Sequence, residues 1–168
     1  TAERDDVEII QRAYNEPDFQ QGFVIEFPKN RAVIEERIEQ GAKDEDGIHL
    51  IICVDGTPVG NVSLKDMRRL HGMLAYWLLP DKRGQGYATE SAALLLDHAF
   101  DTIGLHRVFA WTIDDNEASQ KVLGRLGFAH EGTYREHVFM RGEYHDTEHY
   151  GILSSEWDGV ESALEDCK

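Results

Sequence analysis

The hexapeptide Arg83-Gly84-Gln85-Gly86-Tyr87-Ala88 has the residue types and spacing of an anion-binding turn. It follows the apolar run Met73 to Leu79, which reads as a strand closed by Pro80. It opens a segment from Ala88 to Ile103 with helical spacing. Gly84 and Gly86 have no Cβ, so the backbone there can take positive φ and approach a ligand closely. The first free N–H groups of the helix then face outward with the positive end of its dipole, and a phosphate fits such a place. Lys82 and Arg83 flank the turn in a chain with 32 acids against 17 lysines and arginines. Two nucleotide fingerprints are absent: no Gly-Lys-Ser/Thr follows, and the third glycine of the dinucleotide pattern is missing.

A second group of candidates lies downstream. Asn116 caps a helix on which Ser119 occupies the first turn, with Ala118, Val122 and Leu126 expected inward and Gly127 at the end. The last two strands, placed at about Ala129 to Met140 and Glu143 to Leu153 around an Arg141-Gly142 turn, carry Glu131, Tyr134, Arg135, Glu136, His137, His145, Asp146 and His149. Glu136, beside His137, is the first candidate for a general base, and either group can take a proton from an ammonium. His145 and His149 share a strand face but sit ~13 Å apart at the usual strand rise, too far to hold one ion, so no metal is expected.

The elements that must position these residues follow from periodicity. Glu3 to Asn15 reads as a first helix carrying Val7, Ile10 and Ala13/Tyr14, ended by Pro17. Asn30 caps a second, with Ala32/Val33, Ile34 and Ile38, stopped by Gly41. Ile48 to Val54 and Thr57 to Leu64 form a hairpin on the Asp55-Gly56 turn, and Met73 to Leu79 completes a meander, with Arg68, Arg69 and His71 in its connecting loop. The helix after the glycine turn is expected to bury Ala88, Ala92, Leu95/Leu96, Ala99 and Ile103 before Gly104. Val108 to Ile113 is the next strand.

At 168 residues the chain fits one domain, residues 1–168. No segment approaches the ~20 apolar residues of a membrane span and no secretory leader is recognisable, so the expectation is a soluble cytoplasmic protein that does not engage membranes. Cys53 and Cys167 read as two free thiols. The formal charge of −15 is spread along the chain, as in proteins of salt-loving organisms, and excludes nucleic acid as a partner because no Lys/Arg cluster is present to neutralise phosphates.

Arg83-Gly84-Gln85-Gly86-Tyr87-Ala88 resembles the Gln/Arg-x-x-Gly-x-Gly/Ala motif of the GNAT superfamily of acetyltransferases. The run from Asn116 to Phe128, with its Asn-x-x-Ser start and Leu126-Gly127-Phe128 end, is similar to that of the branch that acetylates ribosomal-protein N-termini. The resemblance covers roughly Leu50 to Leu153. It implies an α/β (α+β) fold: a mixed, mostly antiparallel central sheet with a splayed strand pair, opened by a bulge, and flanking helices.

It also implies acetyl-coenzyme A as cosubstrate, with the pyrophosphate on Arg83, Gly84, Gln85, Gly86, Tyr87 and Ala88. The pantetheine arm would lie along Trp77, Leu78 and Leu79 and against Asn116 and Ser119. The family's tyrosine acid is replaced by Leu123 and a frequent glutamate by Met73, which leaves Ser119 as the implied donor to the departing thiolate. The implied partner is an amine acceptor, a protein N-terminus first and a small molecule such as a polyamine, aminoglycoside or amino acid second. A non-catalytic acyl-coenzyme A sensor is the reading from a different class. The implied assembly is a monomer or homodimer. Phe19, Phe23 and Phe27, between the first two helices, are candidates to face the acceptor.

Overall fold

A computed structural model describes residue 3 and residues 6–15, 30–68, 70–140 and 142–165. Phe19, Phe23, Phe27, Pro17, Arg69, Arg141 and Cys167 therefore lie outside the described residues. Helix α1 (Val7–Asn15) and helix α2 (Arg31–Ala42) are amphipathic and pack together, Val7 against Ile34 and Ile38. Asn30 caps α2 as expected, its Oδ1 accepting from the Val33 N–H at 3.0 Å, while Ala32 is exposed and the helix runs one residue past Gly41.

Six strands form one sheet in the order β1-β2-β3-β4-β6-β5: β1 (Ile48–Val54), β2 (Thr57–Arg68), β3 (His71–Leu78), β4 (Arg107–Ile113), β5 (Ala129–Met140) and β6 (Glu143–Leu153). Asp55 (φ 49°) and Gly56 (φ 74°) make the expected two-residue turn. The second turn is tighter than expected. Arg68 and His71 are ladder partners rather than loop residues, because β2 carries a bulge at Asp66 (φ 52°) that restores the register beyond Lys65. Leu79 lies just outside β3, its N–H donated to the Val59 carbonyl at 2.9 Å.

β3 and β4 are parallel and pair only over His71–Met73 against Arg107–Phe109. Past Met73 they separate, while β3 keeps unbroken register with β2 from Met73 to Leu78. The splay is therefore present, but the irregularity beside it is the bulge of β2, not a break within β3.

Helix α3 (Tyr87–Asp97) crosses one face, burying Ala92, Ala93, Leu95 and Leu96 on Val62, Leu64, Leu74 and Val108. Its end widens into a π turn over His98–Ile103, which rotates Ile103 out to 37% exposure although the α spacing had put it inward. Gly104 (φ 78°) then ends the helix. In helix α4 (Glu117–Arg125) the inward stripe is Ser119, Leu123 and Leu126, spaced i, i+4, i+7, so Ala118 is exposed and Leu123, 1% exposed, fills the core. A short helix α5 (Val160–Glu165), not among the expected elements, docks on α3. The Trp157 Nε1–H donates to Asp97 Oδ1 at 2.6 Å. Helices α1 and α2 cover the opposite face over β1 to β3, with Ala13 on Trp77 and Leu79. No helix among the described residues is long and apolar enough to cross a membrane.

Candidate functional site

The glycine turn has the geometry expected of an anion cradle. Gly84 (φ 74°) and Gly86 (φ 86°) both take left-handed backbone, and space is open around each. Gly86 is the N-cap of α3 and no side chain caps that helix, so its first N–H groups face the turn uncompensated. Arg83 Nε donates to the Leu78 carbonyl and Gln85 Nε2 to the Asp81 carbonyl, each at 3.3 Å. These bonds tie the turn to the end of β3. Tyr87 and Ala88 pack on the core and fix the start of the helix.

From that turn, the edge of β3 at Trp77 and Leu78 runs back along the splay, beyond the β3–β4 ladder that ends at Met73. On the far wall, Asn116 caps α4 by accepting from the Ser119 N–H at 3.1 Å, which gives its side chain a structural role. The Ser119 hydroxyl hydrogen-bonds the Tyr76 hydroxyl at 2.9 Å, and the Tyr76 hydroxyl also lies 3.3 Å from the Ser119 carbonyl. Burial pushes the Tyr76 phenol up to about 12, against the Ser119 hydrogen bond that pulls it down, so it stays protonated. Tyr76 is a site residue that sequence reasoning passed over as part of an apolar strand.

Tyr76 also lines a cavity of about 990 Å³ on the opposite face of the sheet. Ala75, Trp77, Ser63, Lys65 and Trp111 share its walls with α1 and α2. Trp111, 37% exposed, connects this space to the polar face of β5 and β6.

An acetyltransferase (GNAT) family model matches residues 1–129. The chain belongs to the GNAT family. Among its relatives, a Bacillus subtilis protein named "Putative ribosomal N-acetyltransferase YdaF" is 31% identical over 118 residues, which span 69% of this chain and 64% of that protein. The spermidine N(1)-acetyltransferase of Escherichia coli is 26% identical over 103 residues, 60% of this chain and 55% of the enzyme. The chain thus matches between half and two-thirds of the length of these curated relatives. A solved structure of the ribosomal L7/L12 α-N-protein acetyltransferase RimL with coenzyme A superposes with a TM-score of 0.84. It is 20% identical and covers 90% of each chain, a likeness of fold.

In this GNAT domain the polar strands resolve into separate clusters. A bulge between Tyr134 and Val138 puts Glu136 at φ 50°, exposed, with its N–H donated to Asp146 Oδ1 at 2.7 Å. His137, also exposed, meets Trp111 in a T-shaped contact with ring centroids 6.3 Å apart, and its Nδ1 lies 2.8 Å from the Thr147 hydroxyl. That hydroxyl lies 3.0 Å from His149 Nε2. Thr147 is fully buried, and the His149 ring stacks on Tyr134 with centroids 3.9 Å apart. Burial first, and His137 second, lower the His149 pKa, leaving it neutral at pH 7.

His145 goes elsewhere, to Asp114 at 3.2 Å, so the two histidines of β6 do not meet. Among the described residues, His145, Asp114 and Asp115 bring their ligand atoms within 4.8 Å of one another, and neither carboxylate was a candidate. Glu131 pairs with both guanidinium nitrogens of Arg107 across Gly151, a structural clamp between β4 and β5.

Proposed function

We propose that this GNAT domain transfers the acetyl group of acetyl-coenzyme A to a primary amine, with a protein N-terminal α-amine as the favoured acceptor. The observation that supports it is one continuous track. An uncapped helix N-terminus behind the left-handed Gly86 leads to the side of β3 along which β4 diverges beyond Met73, and then to the Tyr76–Ser119 hydroxyl pair. The turn Arg83 to Ala88 takes the pyrophosphate, and the amides of pantetheine pair with the strand edge as an added strand would.

In the reaction the amine nitrogen attacks the thioester carbonyl carbon, the C–S bond breaks, one amine proton leaves to a base, and the sulfur departs as thiolate. Proton donation in full from a phenol held near 12 to a thiolate whose acid has pKa ~8.5 is uphill by about 3.5 units, or ~5 kcal/mol. The hydroxyl pair therefore acts by hydrogen-bonding the developing thiolate, Tyr76 donating to Ser119 and Ser119 to sulfur.

The base comes from the His137–Thr147–His149 chain. Thr147 can donate to only one ring and must accept from the other. Each of the two arrangements therefore leaves one ring an unprotonated nitrogen on its far side, His149 Nδ1 or His137 Nε2. Glu136, the other candidate, carries its carboxylate on the exposed side of the bulge.

The YdaF relative supports a protein acceptor, and the spermidine acetyltransferase relatives support a polyamine as the second reading. The dispersed acidity supports a protein working in a salt-rich cytoplasm. Calorimetric titration of acetyl-coenzyme A tests the cofactor track. Gly86→Asp puts a side chain on left-handed backbone and a negative charge at the phosphate position, and affinity should fall by at least ~10-fold. Equal affinity for wild type and variant would remove the basis of the proposal.

A further inference from the structure

Lys65 is a half-buried cation that no carboxylate among the described residues pairs. It stands on β2 opposite Met73, the last β3 residue paired with β4, and so at the vertex of the splay. Its side chain lines the cavity together with Ser63, Ala75 and Trp111. Arg31, Arg68, Arg107 and Lys121 all pair with carboxylates. The Lys65 ammonium makes no ion pair or hydrogen bond among the described residues, in a chain with 32 acids. Burial first, and Arg37 second, depress its pKa, which is the mark of a charge kept against its own solvation.

Arg37 enters the same cavity, its guanidinium donating to the Tyr14 hydroxyl at 3.2 Å and lying 5.4 Å from the centre of that ring. The acid on this wall, Asp44, is already engaged, one oxygen accepting from the Asp46 N–H at 3.0 Å and the other facing His49 at 3.3 Å. The charge left to greet a ligand is positive, against the sign of the whole chain.

Resting on the acetyl-transfer reading, we propose that the acceptor amine belongs to a molecule that also carries a carboxylate, which Lys65 holds with Arg37 beside it. Tyr76 is three positions beyond Met73, about 10 Å at strand rise, and the lysine stem stands off the sheet on the cavity side. The carboxylate then belongs one or two residues downstream of an α-amine, as in a peptide that begins with a small residue followed by Asp or Glu. A polyamine meets two cations and no unengaged carboxylate on these walls.

The test uses the full chain, acetyl-coenzyme A and four probes: the amidated peptides Ala-Glu-Ala-Ala and Ala-Lys-Ala-Ala, free glutamate, and spermidine. The expected kcat/KM for the glutamyl peptide exceeds that for the lysyl peptide by about 10-fold or more, the worth of one hydrogen-bonded charge pair. Free glutamate, whose α- and γ-carboxylates are both on the residue that bears the amine and so too near it, falls below the glutamyl peptide, and a reversal moves the source of the carboxylate to free amino acids. Lys65→Met should bring the two peptides within about 2-fold of each other by raising KM for the acidic one alone, while Lys65→Arg keeps most of the preference.

A wild type that prefers spermidine or the lysyl peptide overturns the proposal. So does a Lys65→Met variant that loses rate equally on both peptides, or in which KM for acetyl-coenzyme A rises instead. Calorimetry of the two peptides without cofactor gives a readout that survives absence of turnover. Tighter binding of the glutamyl peptide, lost in Lys65→Met, supports the pocket even if acetyl transfer fails, and equal binding refutes it.

Discussion

Removing the hydroxyls of Ser119 and Tyr76, singly and together, probes how the leaving group is handled. The two oxygens are 2.9 Å apart, Tyr76 is half-buried, and Ser119 lies at the first turn of α4, held there by the Asn116 cap. A hydrogen bond to a charged acceptor contributes ~1.5–3 kcal/mol, so Ser119→Ala should lower kcat by about 10- to 100-fold with KM for acetyl-coenzyme A nearly unchanged. Tyr76→Phe leaves the serine in place but removes the donor that orients it, and a loss of roughly 3- to 10-fold is expected. Because the two act as one unit, the double variant should be no slower than Ser119→Ala alone. Quenched single-turnover measurements with saturating acetyl-coenzyme A isolate the chemical step from product release. A double variant whose loss equals the product of the two single losses would refute a coupled pair. A wild-type kcat in Ser119→Ala would return the serine to the surface of its helix.

Two further outcomes follow from the same geometry. His149 must be neutral to act, and its depressed pKa sets where it is. Activity should hold above that pKa and be lost as pH falls through it, so the acid limb of kcat/KM lies below the ordinary histidine value of about 6.5. His149→Gln should abolish that limb and cost about 100-fold, with Glu136→Gln close to wild type; the opposite ranking would give the base role to the carboxylate. For the acidic surface, raising salt from ~0.1 M to ~1 M shortens the Debye length from about 10 Å to about 3 Å, so the melting temperature should rise steeply. KM for the anionic cofactor should rise with it, and a flat or falling melting temperature excludes adaptation to salt.

What could be read from the chain alone was what is local. The turn at Arg83 to Ala88 is set by glycines that permit left-handed backbone and by the helix that starts behind them, and both are written in consecutive residues. The bounds of β5 and β6 and the cap at Asn116 are local in the same sense. The Tyr76–Ser119 contact joins residues 43 apart, and nothing in either neighbourhood announces it. His149 needed the register, since the Thr147 bridge depends on a bulge in the opposite strand that sets His137 Nδ1 against the Thr147 hydroxyl. On α4 the expected Val122 and Leu126 do pack on the core, but Ala118 is exposed and Leu123, beside Val122, is the more deeply buried of the two apolar neighbours. In the sequence nothing distinguishes Lys65 from any other lysine on a strand. Its signal is the missing partner, which exists only in three dimensions.

The central claim is tested most directly by mixing the purified chain with acetyl-coenzyme A and an amine panel, and measuring free thiol and acetylated product together. The account predicts one thiol released per amine that gains an acetyl group, with release abolished when the amine is left out. Tight binding of acetyl-coenzyme A with no acetylated product from any peptide, polyamine or amino acid would contradict it and make the domain a sensor of the cofactor.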